Sequence, residues 1–300
     1  MSLLIATTLD DALAALAAGA RPIAGGTDLV VGARHGKAPL PASLVAIDRI
    51  ESLRTVGRSA DGGLVIGAGV SHHTIETDST IGAEWSALAD ASALVGSPAT
   101  RHVGTLGGNV MNGSPAMDTG APLVVFGAEA ELASGSGSRR VDMATLWVGP
   151  GRTSAAADEL CVAIHLPARA PRSGSAYLRL EYRRAMEIAV VGAAASVTLT
   201  ADGAVDSVRV ALTAVAATIV EVTGLTGGSV ADVAAAAEAA AADQATPISD
   251  LRASDRYRRH CIGVMARRAV EAAARRASGE TIAIPVNRAV GIGMAAGAAS

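Results

Sequence analysis

The sequence predicts an α+β protein built as two domains, and three observations carry that expectation. Hydrophobic patterning gives short strands and short helices through the first half, then longer alternating strands followed by two helices. Residues 168–175 shift abruptly to Pro, Arg, Gly and Ser, which marks a domain boundary. The first half also holds two glycine-rich loops. One reads Ile23-Ala24-Gly25-Gly26-Thr27-Asp28-Leu29; the other reads Thr105-Leu106-Gly107-Gly108-Asn109 and is followed by Ser114-Pro115-Ala116-Met117-Asp118.

In chain order, residues 9–18 predict a helix, with Thr8 or Asp10 as its cap and Gly19 as its stop. Residues 21–24 read as a buried strand running into the first glycine loop. Residues 29–33 continue as helix or extended chain, and 43–47 as a further strand. The apolar, Gly-flanked stretch 64–70 predicts a strand, and 71–78 and 85–95 predict helices. Gly96-Ser97-Pro98 breaks the chain before the second glycine loop. Residues 121–126 suit either a short buried helix or a strand. A hairpin is expected from 128–133, with 134–138 as its flexible tip and 139–141 as its return. Residues 160–166 alternate as a strand that Pro167 stops. Beyond the boundary, 177–181, 193–200 and 205–215 read as antiparallel strands, with Asp202-Gly203 as a turn. Helices are expected over 230–242 and from 254 to about 277, the second ended by Gly279. The Gly-, Pro- and Ala-rich tail reads as loosely ordered, and no internal repeat is visible.

Composition narrows the function. The chain has 300 residues, enough for one large or two modest domains, and 50% of them are hydrophobic. Only 2 Trp, 3 Tyr and 1 Phe are present, so the core rests on Ala, Val and Leu and on close approach of its elements. A net charge of −3 gives no footprint for nucleic acid. Cys161 and Cys261 are the only cysteines, too few for a zinc or Fe–S site on this chain alone, and they favour a reducing compartment. No signal peptide is apparent and no apolar run approaches the ~20 residues of a membrane span, so the chain reads as cytoplasmic. Arg258-Arg259, Arg267-Arg268 and Arg275-Arg276, all on the last helix, predict a solvated or subunit-facing surface.

The glycine loops carry the chemistry. A diphosphate presents negative oxygens that need several N–H donors at short range. Glycine lets the backbone approach closely and turn through positive φ, so that successive amides converge on one anion. Thr27 and Thr105 would each add a hydroxyl. On the residues alone, either loop taken singly reads first as an ordinary tight turn. Better-known signatures fail. Gly32 to Lys37 is one residue short of a P-loop, with Ala38 where Ser or Thr would hold magnesium. Gly291-x-Gly293 lacks a following helix and strand. His72 and His73 are adjacent, so their side chains diverge and do not suggest a metal pair.

The two loops, together with Arg101 ahead of Gly104 and with Ser114-Pro115-x-x-Asp118, resemble the FAD-binding medium subunit of molybdenum hydroxylases, of the carbon monoxide, xanthine, nicotine or caffeine dehydrogenase type. The segment from Arg179 through Tyr182-Arg183-Arg184 to Ala189 is similar to the start of that family's C-terminal domain. Asp250 to His260 is similar to its last helix. The similarity spans nearly the whole chain.

The resemblance implies a two-subdomain FAD-binding domain of the vanillyl-alcohol oxidase (PCMH) type over 1–173, split near 57, and a compact C-terminal domain over 174–300. FAD would lie between the subdomains. Ile23, Ala24, Gly25, Gly26, Thr27, Asp28 and Leu29, with Thr105, Gly107, Gly108 and Asn109, would hold its pyrophosphate and ribityl chain. Asp118 matches the family's acidic residue at the flavin end; by itself it also suits a helix cap. Arg179 stands where the family usually has Lys near the isoalloxazine, keeping the charge with a different reach. Cys161 stands where an apolar residue usually packs on the flavin, and equally suits an inert core thiol. Tyr182 is a further candidate near the flavin. The chain opens without the short N-terminal strand expected of the family.

By this resemblance the chain is an electron-transfer flavoprotein subunit with no catalytic residue or metal of its own. A large subunit would carry the molybdenum cofactor and a small subunit two [2Fe–2S] clusters, in a dimer of heterotrimers. Electrons would pass through FAD to an external acceptor. Residues 168–175 and the charged faces of the last helix would be contact surfaces. A stand-alone flavin-dependent oxidoreductase on the same fold is the alternative, and it would need an acid or base at the flavin that the sequence does not display. A binding protein that has lost its flavin is a third reading, disfavoured by the two intact loops.

Overall fold

A computed structural model describes residues 1–36 and 38–289. Lys37, Gly291-x-Gly293 and the tail from 290 lie outside the described residues.

Strand β1 (Ser2–Ile5) leads to α1 (Leu9–Ala17), β2 (Arg21–Ile23), α2 (Leu29–Arg34), β3 (Ser43–Ala46), β4 (Val56–Arg58) and β5 (Leu64–Gly67). Short helices follow: α3 (His72–Thr77), α4 (Ser79–Glu84), α5 (Ser86–Ser92), α6 (Pro98–Val103), α7 (Leu106–Asn112) and α8 (Gly120–Phe126). The β6 (Glu129–Ser134) and β7 (Gly137–Asp142) hairpin precedes α9 (Met143–Leu146), β8 (Trp147–Gly149), β9 (Arg152–Thr153) and β10 (Leu160–Leu166). Then come β11 (Ser173–Leu180), β12 (Val191–Leu199), β13 (Val205–Thr213), β14 (Val220–Val222), α10 (Val230–Gln244), α11 (Asp255–Ala277) and α12 (Val286–Ala289).

Contacts divide the chain into two compact units that interleave in sequence: residues 1–74, 98–113 and 127–168 form one, and 75–97, 114–126 and 169 onward the other. The first unit holds a parallel sheet of order β1-β3-β2 and an antiparallel sheet of order β4-β5-β10-β6-β7. Thr8 caps α1 by accepting the Asp11 N–H, and the buried face of α1, Ala12, Leu13 and Leu16, joins Val45, Ile47, Ile50 and Leu53 in one core cluster. The β6–β7 hairpin turns through Gly135 and Ser136, with Ser134 paired to Gly137, and a bulge interrupts β10 between Cys161 and Ala163.

In the second unit β11-β12-β13-β14 form an antiparallel sheet, and α10 and α11 pack together with it. The core between them is largely Ala and Val. Small residues let the helix come down on the strand: a side chain on Gly174 of β11 would collide with the Ala273 carbonyl and the Ala277 amide of α11. This close approach is where the alanine-rich composition goes.

Four expectations change. A short N-terminal strand is present after all, because Ser2 to Ile5 pair in parallel register with Ser43 to Ala46. The strand before the first glycine loop is half-exposed rather than buried. Helices α4 and α6 occupy stretches with no helical hydrophobic period; the Asp78 carboxylate starts α4 by accepting the Ile81 N–H, and Pro98 sits at the first position of α6. The arginine pairs of α11 are not wholly a surface. Arg258 is buried, donating to the Val190 and Ala214 carbonyls and to Asp250, and Arg276 reaches in to the fully buried Asp90 at 2.6 Å. A helix longer than a few turns carries adjacent residues about 100° apart, so one member of such a pair points inward.

Candidate cofactor site

The first unit brings the two glycine loops together. A methyl group on Gly25 would fall on the carbonyl of Val103, so the first loop runs against the backbone that introduces the second. The Thr27 hydroxyl lies beside Gly104, 3.5 Å from where a Cβ would stand. Gly26 takes φ +68°, which turns the chain from β2 toward α2 and which a β-carbon would oppose. Ile23 ends β2, accepting the Ile47 N–H, and Leu29 begins α2; Asp28 precedes it and gives the helix no side-chain cap.

The two loops differ in what their amides do. Among the described residues, no protein acceptor receives the backbone N–H of Gly25, Gly26, Thr27 or Leu29. The loop is exposed to half-exposed. In the second loop Leu106 N–H donates to the Val70 carbonyl, Gly107 N–H to Ala68 and Gly108 N–H to the Thr105 hydroxyl, while Asn109 N–H donates to the Thr105 carbonyl. Thr105 is therefore the cap of α7. Gly107 is buried with its α-carbon against Ala68, where a β-carbon would overlap the Ala68 backbone. Gly108 is exposed and Asn109 half-exposed, so these two form the second loop's outer face.

His72 supports this junction. Its N–H donates to the Gly104 carbonyl at 3.0 Å. Burial, and then the charge of Arg101, holds its imidazole neutral, down to about 4. His73 and His102 stack with ring centroids 3.9 Å apart. Sequence reasoning set His73 aside with His72 and gave His102 no role; the pairing of α3 with α6 that joins them is a tertiary fact.

Cys161 lies buried in β10. Burial, reinforced by Glu131, pushes its thiol up to about 12, so it stays protonated. Cys261 is also buried, and both cysteines are free. No group of three or more His, Cys, Asp or Glu able to hold a metal occurs among the described residues.

The second unit assembles a buried charge cluster around Arg179. The guanidinium is fully enclosed, donates to Asp118 at 2.7 Å through Nη1 and to Glu181 at 2.9 Å through Nε, and is fixed at its backbone by a two-way exchange with the Asn287 amide. Tyr177 OH donates to the other oxygen of Asp118 at 2.6 Å. Burial opposes the Arg179 charge, but Asp118, Tyr177 and Glu181 together outweigh it and hold the guanidinium protonated. Burial, and then the negative charge of Asp118, pushes the Tyr177 hydroxyl well above its ordinary range. Nη2 of Arg179 lies 2.7 Å from Glu181 yet makes no aligned hydrogen bond. Asp118 caps no helix; it is an ion-pair partner. Tyr177 and Arg179 alternate on one face of β11, and that period of two was the available signal for Tyr177. Tyr182 stands exposed, its hydroxyl donating to the Arg252 carbonyl.

The first loop thus leaves a run of backbone amides without a protein acceptor on a two-unit α+β fold. Comparison with known proteins gives the family. The family model described as FAD binding domain in molybdopterin dehydrogenase matches residues 1–169, and that of the CO dehydrogenase flavoprotein C-terminal domain matches residues 175–273. A xanthine dehydrogenase FAD-binding subunit of Escherichia coli O157:H7 is 30% identical over 283 residues, covering 92% of this chain and 96% of the relative. The carbon monoxide dehydrogenase medium chain of Afipia carboxidovorans is 34% identical over 264 residues, covering 86% and 90%. In the solved structure of reconstituted CO dehydrogenase from Oligotropha carboxidovorans, one chain superposes with a TM-score of 0.87 at 30% identity, covering 92% of this chain and 98% of that one. The chain belongs to the family of FAD-binding medium subunits of molybdenum hydroxylases. These relatives are parts of multi-subunit dehydrogenases, which favours the subunit reading over the stand-alone flavoenzyme.

Proposed function

We propose that this chain holds FAD by its first glycine loop and acts as the electron-transfer subunit of a molybdenum-containing dehydrogenase, between the [2Fe–2S] clusters of a small partner and an external acceptor. The observation that carries the reading is the run of uncommitted amides at Gly25, Gly26, Thr27 and Leu29, set against the backbone of Val103 and Gly104. That is a donor set for a diphosphate. Bound FAD supplies a redox centre able to accept and release electrons. The chain's residues bind and orient it. Ile23 and Ala24 lead the loop in, Thr27 adds a hydroxyl, and Asp28 and Leu29 lead it out. Thr105 and Gly107 hold α7 in place so that Gly108 and Asn109 form the second wall. Asp118, Arg179 and Cys161 remain assigned to the flavin end by family likeness. The locked cation of Arg179 would act there through a fixed field and not through a mobile contact.

The proposed division is a FAD-binding domain over 1–173, with subdomains split near 57, and a C-terminal domain over 174–300; the gap between the two family models, at 169 and 175, supports the boundary between the domains. The partners would be a large subunit with the molybdenum cofactor and a small subunit with two [2Fe–2S] clusters, as a dimer of heterotrimers. The proposed compartment is the cytoplasm, in keeping with two free, buried cysteines. No helix of the described residues is long and apolar enough to cross a membrane.

Purification of the tagged chain from its native host tests the reading. Flavin absorbance with a large and a small co-purifying polypeptide, and molybdenum and iron in the complex, is the expected result. A flavin-free chain, or a yellow chain that comes alone and turns over a substrate, would overturn it.

A further inference from the structure

The second unit gathers its exposed apolar surface in one place. Among the described residues, the large hydrophobic side chains it leaves in solvent are Tyr182, Met186, Ile188, Ile248, Leu251 and Tyr257, and all fall within 182–188 or 248–257. The two segments meet where the Tyr182 hydroxyl donates to the Arg252 carbonyl at 2.6 Å. Leu251 is wholly exposed, on a turn between α10 and α11 that is braced from several sides. Asp250 Oδ1 accepts the Arg252 N–H at 2.8 Å, the Ala253 N–H at 3.2 Å and Nη2 of the buried Arg258 at 2.7 Å. The Asp250 N–H donates to the Ala253 carbonyl, and Ser249 and Asp255 bond to each other across the turn at 2.8 and 2.9 Å. Single exposed leucines are ordinary. Here one is fixed at the tip of a braced turn, beside a tyrosine pinned to that turn. Ordering a loop costs conformational entropy, and an apolar anchor ordered in advance lowers the cost of association.

The charges around the patch are unequal. Glu187, Asp250 and Asp255 are engaged within the unit, by Arg183, Arg258 and Ser249. Arg184 and Arg256 are exposed and have no ion-pair partner among the described residues. Resting on the proposed subunit reading, we propose that this face docks a partner subunit of the dehydrogenase, one that offers an apolar socket for Leu251 edged by carboxylates for the two free arginines. A second copy of this chain fits poorly, because a twofold contact would set the arginine edge against itself.

The test is dissociation of the complex, purified through the tagged chain, on dilution and followed by sedimentation. Leu251→Asp should keep the melting temperature and the FAD content of the wild-type chain, because the side chain is wholly exposed, and should raise the dissociation constant by about tenfold or more. Leu251→Met should stay near wild type. The double variant R184E/R256E should also weaken association and reduce its dependence on salt. A wild-type dissociation constant in L251D would overturn the inference while leaving the subunit reading intact. So would loss of FAD from L251D, which would make the flavin the occupant of this face, or a wild-type chain that dimerises alone through Leu251. A wild-type chain that purifies without partner subunits would instead overturn the subunit reading itself.

Discussion

The two glycine loops share a grammar, a glycine pair beside a threonine, and do opposite things with it. In the first, Gly25 gives way to another loop's carbonyl, Gly26 turns through positive φ, and the amides stay open. In the second, Gly107 gives way to Ala68 and every amide from Leu106 to Asn109 has an internal acceptor. The difference comes from what each loop starts. The second opens a helix anchored on the chain that follows β5, so capping claims its donors. The first stands at the half-exposed end of a small parallel sheet, with Asp28 leaving the α2 start uncapped. A glycine pair thus reports that something approaches the backbone closely, not whether the partner is ligand or protein. Arg179 teaches the same lesson with charge: it stands at a position that family likeness places near the flavin, yet its guanidinium is paired with Asp118 and Glu181.

If engaged groups hold the fold and open ones hold cofactor, substitutions should sort accordingly. The largest effect is expected at Arg179. Arg179→Ala strands two carboxylates in the interior and should cost about 3–5 kcal/mol, read as a lower urea midpoint. Wild-type stability with an altered flavin potential would show that the cluster serves the flavin and not the fold. Gly107→Val should cost about 3 kcal/mol by overpacking against Ala68, with the melting temperature falling whether or not FAD is added. A variant that melts normally and merely loses flavin would reverse the roles of the loops.

Acid should open the junction through His72. Its folded-state pKa, about 4, lies below the ordinary 6.5, so the unfolded chain binds the proton more tightly. The contribution is complete above 6.5 and is lost as pH falls toward 4, by up to about 3 kcal/mol. His72→Phe should flatten stability over that window, and an unchanged pH profile would place the acid sensitivity elsewhere. The smallest pair of effects separates the threonines. Thr105→Val removes the α7 cap and should cost about 1 kcal/mol of stability. Thr27→Val should leave the melting temperature alone and weaken FAD binding by about 1 kcal/mol, near fivefold in Kd. Equal behaviour of the two variants in both assays would erase the distinction between the loops.

Much of this was legible in the chain. The capped start of α1 at Thr8, the β6–β7 hairpin, the strands β12 and β13 and the limits of α10 and α11 follow from hydrophobic period and from Ser, Thr and Gly at the ends, whereas the first half of β11, Ser173 to Ala176, falls in and just after the stretch that reads as the boundary. Strand β1 and helices α4 and α6 were not legible, since four to six residues carry too little period to declare themselves. The arginine pairs of α11 misled because charge was taken to mean solvent. Arg258 and Arg276 each find several carbonyl or carboxylate acceptors inside, which offsets the cost of burial.

The sequence by itself determined the family, the α+β class and the two loops as the place to look, because those rest on local patterns and on residue identity. Only the tertiary structure decided which loop is open, that Asp118 belongs to Arg179, and that His73 meets His102. Whether a donor is available depends on the acceptors the rest of the chain brings to it, and those come from residues far away in sequence.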